Sequence, residues 1–144
     1  LYAAIGLTLS VLLVLRTNSA YERWWEARKL WGALVNVSRN LVVKAKTLAR
    51  PEPAELARFG DLVAGFAPLL RDHLRGGGPA LATPTADRPA RHVPSLRMTE
   101  IYDVLASWQD RGLIDGARFW ALDREAREFL DICGACERIL KTPL

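Results

Sequence analysis

The chain has 144 residues, 50% of them hydrophobic and 25% charged, with a formal net charge of +4. That length suits one domain, and the composition excludes a disordered or acidic low-complexity chain. Two cysteines exclude a disulfide-stapled secreted scaffold. A mean hydropathy of +0.03 is that of a soluble protein, but the average hides a split. Residues 1–15, LYAAIGLTLSVLLVL, carry no charge, and every formal charge lies between Arg16 and Lys141. From Arg16 to Arg50, eight basic residues stand against two acidic ones, Glu22 and Glu26. A sequence pI near 9.4 would suit a nucleic-acid binder. The excess, however, sits directly after the apolar run, where the positive-inside rule places cytoplasmic Lys and Arg. A membrane segment joined to a polar domain accounts for both features.

Fifteen helical residues span about 22 Å, short of the roughly 30 Å hydrocarbon core. The run opens without Met, so residues 1–16 read as the inner part of a transmembrane helix cut at its outer end. A signal peptide is the competing reading, with Asn18-Ser19-Ala20 near a plausible cleavage point. It would need an initiator Met and a basic leader, and the helical pattern would not continue past Ala20. Leu7, Val11 and Leu15 fall at i, i+4 and i+8 on one stripe. Periodicity alone makes that stripe a lipid contact. Gly6, Thr8 and Ser10 are small enough to let a membrane helix approach its neighbours.

Tyr21 to Ala49 continues with amphipathic spacing at Trp24, Ala27, Trp31, Leu34, Val35, Ser38, Leu41 and Val42. Tyr21, Trp24 and Trp25 stand where an interfacial aromatic belt would lie, and Trp31 lies deeper, in the core. The membrane helix therefore runs on as one long rod. Pro51 and Pro53 end it and open a second helix over Ala54–Arg75. Leu56, Phe59, Leu62, Val63, Phe66, Leu69, Leu70 and Leu74 form its apolar face, and Pro68 kinks it. Residues 76–95 hold three Gly and four Pro and read as a mobile surface loop. A third helix spans Leu96–Arg111, capped by Ser95 and stopped by Gly112, and buries Ile101, Val104, Leu105 and Trp108. Asp115 caps a fourth, Gly116–Lys141, ended by Thr142-Pro143. It buries Phe119, Trp120, Leu122, Phe129, Ile132, Cys133, Cys136, Ile139 and Leu140. No segment alternates with period two, so the fold class is all-α: a truncated transmembrane helix continuing into a cytosolic helical bundle.

Catalytic chemistry finds little support. Cys133-Gly134-Ala135-Cys136 has the spacing of a thioredoxin-type pair, but that chemistry needs a thiol at a helix N-terminus after a strand. Here both sulfurs lie mid-helix on the apolar face and read as small core residues. His73 and His92 stand apart, one in a helix and one in the loop, so no zinc ligand set assembles. Asp and Glu are spread along solvated helix faces. No phosphate loop or nucleophile elbow is present, and no stacking motif accompanies the basic residues 39–50. The chain reads as neither an enzyme nor a nucleic-acid binder, with no cofactor and no metal.

Two motifs point elsewhere. Arg16, Asn18, Tyr21, Arg23, Trp24, Glu26, Arg28, Trp31 and Gly32 lie within Leu15-Arg16-Thr17-Asn18-Ser19-Ala20-Tyr21-Glu22-Arg23-Trp24-Trp25-Glu26-Ala27-Arg28-Lys29-Leu30-Trp31-Gly32. That stretch resembles the signature following the second transmembrane helix of bacterial bestrophins. Gly134-Ala135-Cys136-Glu137-Arg138-Ile139-Leu140-Lys141-Thr142-Pro143 resembles the family element just before the third transmembrane helix, with Cys136, Glu137 and Arg138 at its centre. The two occur in family order, and the resemblance covers the whole chain.

The resemblance implies a homopentameric, multi-pass channel of the cell (inner) membrane, with most of this segment cytoplasmic. Its partners would be the lipid bilayer, identical subunits and permeant inorganic ions. The ion implied is chloride or another anion, with cation conduction as the alternative. Residues 1–16 would be the inner part of the pore-lining helix, 17–75 cytosolic helices, and 96–144 cytosolic helices leading to the next membrane segment. Leu7, Val11 and Leu15 would form a hydrophobic neck, three rings of aliphatic side chains that gate by dewetting. Counting back from Cys136, the family's cytosolic aperture falls on Ala117, and a one-residue slip would move it to Gly116 or Arg118. Arg118 would place positive charge in the pore and favour anions. Calcium gating is not carried over. A membrane-anchored helical scaffold, binding a partner through its basic helix, is the reading of a different class.

Overall fold

A computed structural model of the chain describes residues 2–76 and 92–142, with side chains from Ile5 onward. α1 runs unbroken over Tyr2–Lys44, roughly 65 Å of helix. It widens into a π turn at Ala45–Ala49. Arg50 then turns left-handed at φ 48° while its N–H still reaches the Ala45 carbonyl at 3.3 Å. α2 spans Pro53–Ala64, α3 Phe66–Leu74, α4 Val93–Asp110 and α5 Gly116–Lys141. The described residues contain no strand. The single rod expected, with the apolar run continuing through Tyr21 and beyond, is therefore present.

Two boundaries differ from the sequence expectation. The helix read as Ala54–Arg75 is two helices, divided at Gly65. Pro68 has no N–H to offer the Ala64 carbonyl, so the ladder breaks a turn before the proline. Pro68 itself falls in the first turn of α3, where proline costs nothing. Gly65 fits the break closely, since a Cβ there would stand 3.1 Å from the Asp61 carbonyl oxygen. α4 begins at Val93 instead of Leu96, and its cap is His92 instead of Ser95. The His92 imidazole Nδ1 accepts from the Ser95 N–H at 3.2 Å, and Pro94 occupies the first turn. The rest of the expected loop, residues 77–91, lies outside the described residues. α5 matches its expected bounds. Asp115 caps it by accepting from the Arg118 N–H at 2.8 Å, and Gly112, at φ 73°, ends the preceding turn.

α5 packs along the C-terminal half of α1, with α4 beside it and α2 and α3 closing the bundle. Leu34 and Leu41 of α1 and Ala45 of the π turn share a single core with Leu122, Ala126, Phe129 and Cys133 of α5. Phe59 stacks tilted on Trp108 at 4.9 Å, and Phe66 meets the edge of Phe129 at 5.1 Å. Ile101, Leu105 and Trp108 are buried as expected, with Val104 at the margin.

Trp120 and Leu140 are corrections, at 65% and 59% exposed. The buried positions of α5 run 122, 126, 129, 133, 136, and three residues before Leu122 stands Phe119. Trp120 is one residue out of phase and swings about 100° off the core. Leu140, one turn past Cys136, borders an open cleft between α5 and α1 instead of the closed core. Trp24 and Val35, also placed on the apolar face of α1, are exposed as well. Glu125 is not on a solvated face. It is buried and bonded by Lys44 Nζ at 2.6 Å, while the same ammonium donates to the Ala121 carbonyl. That pair locks the lower part of α1 onto α5.

Candidate functional site

The first half of α1 is uncovered. Every residue from Ile5 to Glu22 is exposed, including Leu7 (69%), Val11 (51%) and Leu15 (58%) of the expected stripe. Ile5, Leu9, Leu12, Leu13 and Val14 present further apolar surface around the helix. Polar side chains along this half are folded back on their own helix. The hydroxyls of Ser10, Thr17 and Ser19 donate to the carbonyls of Gly6, Leu13 and Leu15. This is how hydroxyls are satisfied where water is scarce. No helix of the described residues is long and apolar enough by itself to cross a membrane. Such a continuous apolar surface on one chain is a surface for a neighbour.

One turn further on, the two sequence motifs meet. Asn18 donates to Glu22 at 2.9 Å. Tyr21, Trp24 and Trp25 form an exposed aromatic cluster, with the Arg28 and Lys29 cations each 5.8 Å from a tryptophan ring. Arg23 reaches across to donate to the Ile139 carbonyl of α5, and Arg138 returns the contact by donating to Glu26. Arg23, Ala27, Trp31, Leu74, Cys136, Ile139 and Leu140 line a mostly apolar cleft of about 240 Å³. Motifs more than a hundred residues apart thus form one joint between the rod and the last helix. Gly32 is not explained by this chain, since a Cβ there would meet nothing within 4 Å.

Ala117 lies at the opposite end of the α1–α5 pair, exposed in the first turn of α5. Its neighbour Arg118 donates to the Leu48 carbonyl at 3.4 Å and pairs with Asp115 at 3.9 Å. Leu48 is 33 residues from Leu15, which places Ala117 roughly 50 Å down the rod from the stripe. The structure therefore does not bring Leu7, Val11, Leu15 and Ala117 together. It sets them at two levels along one axis.

Cys133 and Cys136 are free and buried. Burial, with the Glu137 carboxylate close by, pushes the Cys133 thiol up to about 12 and raises Cys136 as well. An inert pair follows. Thiol reagents near neutral pH are expected to label both slowly in the native protein and rapidly once it is denatured. Fast native labelling would restore the redox reading.

The two histidines are a correction. Apart in sequence, they share one partner: His73 Nε2 lies 2.6 Å and His92 Nε2 2.8 Å from Glu137 Oε1. Hydrogen bonds from His92 and His73 hold the Glu137 carboxyl below its ordinary value despite partial burial. Sequence separations of 64 and 45 residues gave no local signal of this cluster.

The described residues thus define an all-helical domain from which a long helix with an uncovered apolar half projects. The sequence pattern of the bacterial and fungal bestrophin proteins matches residues 1–144. The chain belongs to the bestrophin family. It is 38% identical to a voltage-dependent anion channel-forming protein of Mesorhizobium japonicum, over 99% of this chain and 48% of that protein. It is 33% identical to one of Ralstonia nicotianae, over 99% of this chain and 50% of that protein. The chain thus spans about half the length of the curated relatives it matches. Its fold superimposes on a bestrophin homolog from Klebsiella pneumoniae with a TM-score of 0.84. That match has 22% identity and covers 99% of this chain and 56% of the other.

Proposed function

We propose that this chain supplies the pore-lining helix and the cytosolic domain of an anion channel subunit, which assembles as a homopentamer in the cell (inner) membrane. The observation that carries the reading is the exposed apolar half of α1, held in line by the helical domain and uncovered by the other described residues. The names of the relatives supply the ion class. Five copies of α1 around an axis would turn Leu7, Val11 and Leu15 into three stacked hydrophobic rings, a neck that passes ions only when wetted. Ala117, exposed at the lower level, would line a wider cytosolic aperture. The other apolar faces of α1 would meet lipid and neighbouring helices, with Tyr21, Trp24 and Trp25 at the headgroup level.

The test uses the full-length protein, purified in detergent and reconstituted into liposomes. Light scattering is expected to give the mass of five subunits, and the reversal potential in a KCl gradient is expected to follow chloride. A monomer without current would overturn the reading and favour the membrane-anchored scaffold. A pentamer whose potential follows potassium would overturn the anion assignment.

A further inference from the structure

Three separate helices deliver two imidazoles and a carboxylate to one spot. His73 stands in the last turn of α3, His92 caps α4, and Glu137 projects from α5. The donor atoms of the three all lie within 4.8 Å of one another. The rings stand edge to face, with centroids 4.7 Å apart.

We infer that His73, His92 and Glu137 form a binding site for a divalent transition metal of the zinc type, with solvent in the fourth position. Two imidazole nitrogens and one carboxylate oxygen make a donor set seen in tetrahedral zinc sites, with bonds of about 2.0–2.2 Å. Imidazole donors select such ions over magnesium and calcium. Bonds of that length separate neighbouring ligand atoms by roughly 3.3 Å. The present Nε2–Oε1 contacts of 2.6 and 2.8 Å would open by about 0.7 and 0.5 Å, and the two imidazole nitrogens, within 4.8 Å of one another, would settle to the same separation. The outer contact is already in place, since His92 Nδ1 lies 2.7 Å from Ser95 Oγ. With Nε2 on the metal the proton would sit on Nδ1, which would give up the bond it accepts from the Ser95 N–H and donate instead to that hydroxyl, the arrangement that fixes a ligating histidine. The three side chains are 22–39% exposed, so solvent has access. A bound ion would pin the end of α3 and the start of α4 to α5, between Cys136 and Arg138 of the α1 joint. Two Nε2–H donors on one oxygen also satisfy the cluster without an ion, and the experiment separates the two cases. The inference holds whatever ion the pore carries.

The full-length protein in detergent, stripped with a chelator, is titrated with zinc chloride by calorimetry and with cobalt chloride by visible absorption. One saturable zinc per chain is expected, with a higher thermal midpoint and a tetrahedral cobalt spectrum. His73→Gln and His92→Gln keep an N–H donor for Glu137 but supply no imidazole, so each should bind at least about tenfold more weakly. His73→Gln should keep the melting behaviour of the metal-free parent, while His92→Gln, which also removes the α4 cap, should melt somewhat lower and is compared by zinc affinity. Absence of stoichiometric binding, or equal affinity in the double variant, would overturn the site. A sulfur-to-cobalt charge-transfer band would overturn the ligand set in favour of the cysteines.

Discussion

Val11→Thr is expected to raise the ion current of the reconstituted channel by about tenfold or more. Threonine nearly copies the shape of valine and exchanges one methyl for a hydroxyl, so the helix and its neighbours need not move. In a pentamer the change puts five hydroxyls into the middle of the three rings. A dry constriction resists ions because water must first enter it. Each hydroxyl contributes on the order of 0.5–2 kcal/mol of preference for water. A barrier lower by only about 1.4 kcal/mol multiplies flux tenfold. The control is Leu13→Thr, also exposed in the isolated chain but about 200° around the helix from Val11. It should leave the current unchanged, measured in the same bilayers. If the two variants behave alike, Val11 faces lipid and the neck lies elsewhere.

The same stripe marks how far the sequence could be read. Helical spacing placed Leu7, Val11 and Leu15 on one line, yet spacing cannot tell a pore from a bilayer, because both ask for exposed apolar side chains. The bounds of α5 were legible because Asp115 is a strong capping residue and Thr142-Pro143 a strong stop. The start of α4 was not, because histidine is an uncommon cap and Pro94 looked like part of a Gly/Pro-rich loop. Gly65 was passed over because the more conspicuous breaker, Pro68, stands three residues later. The Lys44–Glu125 and His73–His92–Glu137 contacts could not be seen at all. Each joins residues at least 45 positions apart, and no local rule encodes such a meeting. The joint between the two family motifs is the intermediate case. Both motifs were visible, but that Arg23 and Glu26 bond the backbone of Ile139 and the side chain of Arg138 emerged only from the fold.

Trp108→Ala should destabilise the helical domain by about 3–5 kcal/mol, the range for deleting a buried aromatic side chain. Trp108 is fully buried, stacked on Phe59, and its Nε1–H donates to Glu55 Oε1 at 2.8 Å. The thermal midpoint of the full-length protein in detergent should fall by on the order of 10 °C. Trp108→Phe divides the loss into its parts. It keeps a ring against Phe59 and removes the donor, leaving Glu55 to Arg111 alone. Burial raises the Glu55 carboxyl, but the bonds from Trp108 and Arg111 outweigh it and hold the value below the ordinary 4.5. The ionised carboxylate is therefore favoured in the folded state. Its contribution is complete above the unfolded value, and it is lost as pH falls through the lower, folded one. The gap between parent and Trp108→Phe, measured as midpoint against pH, should be full near neutrality and shrink below about pH 4.5. A gap that stays constant through the acid range would assign the whole effect to packing and none to the indole–carboxylate bond.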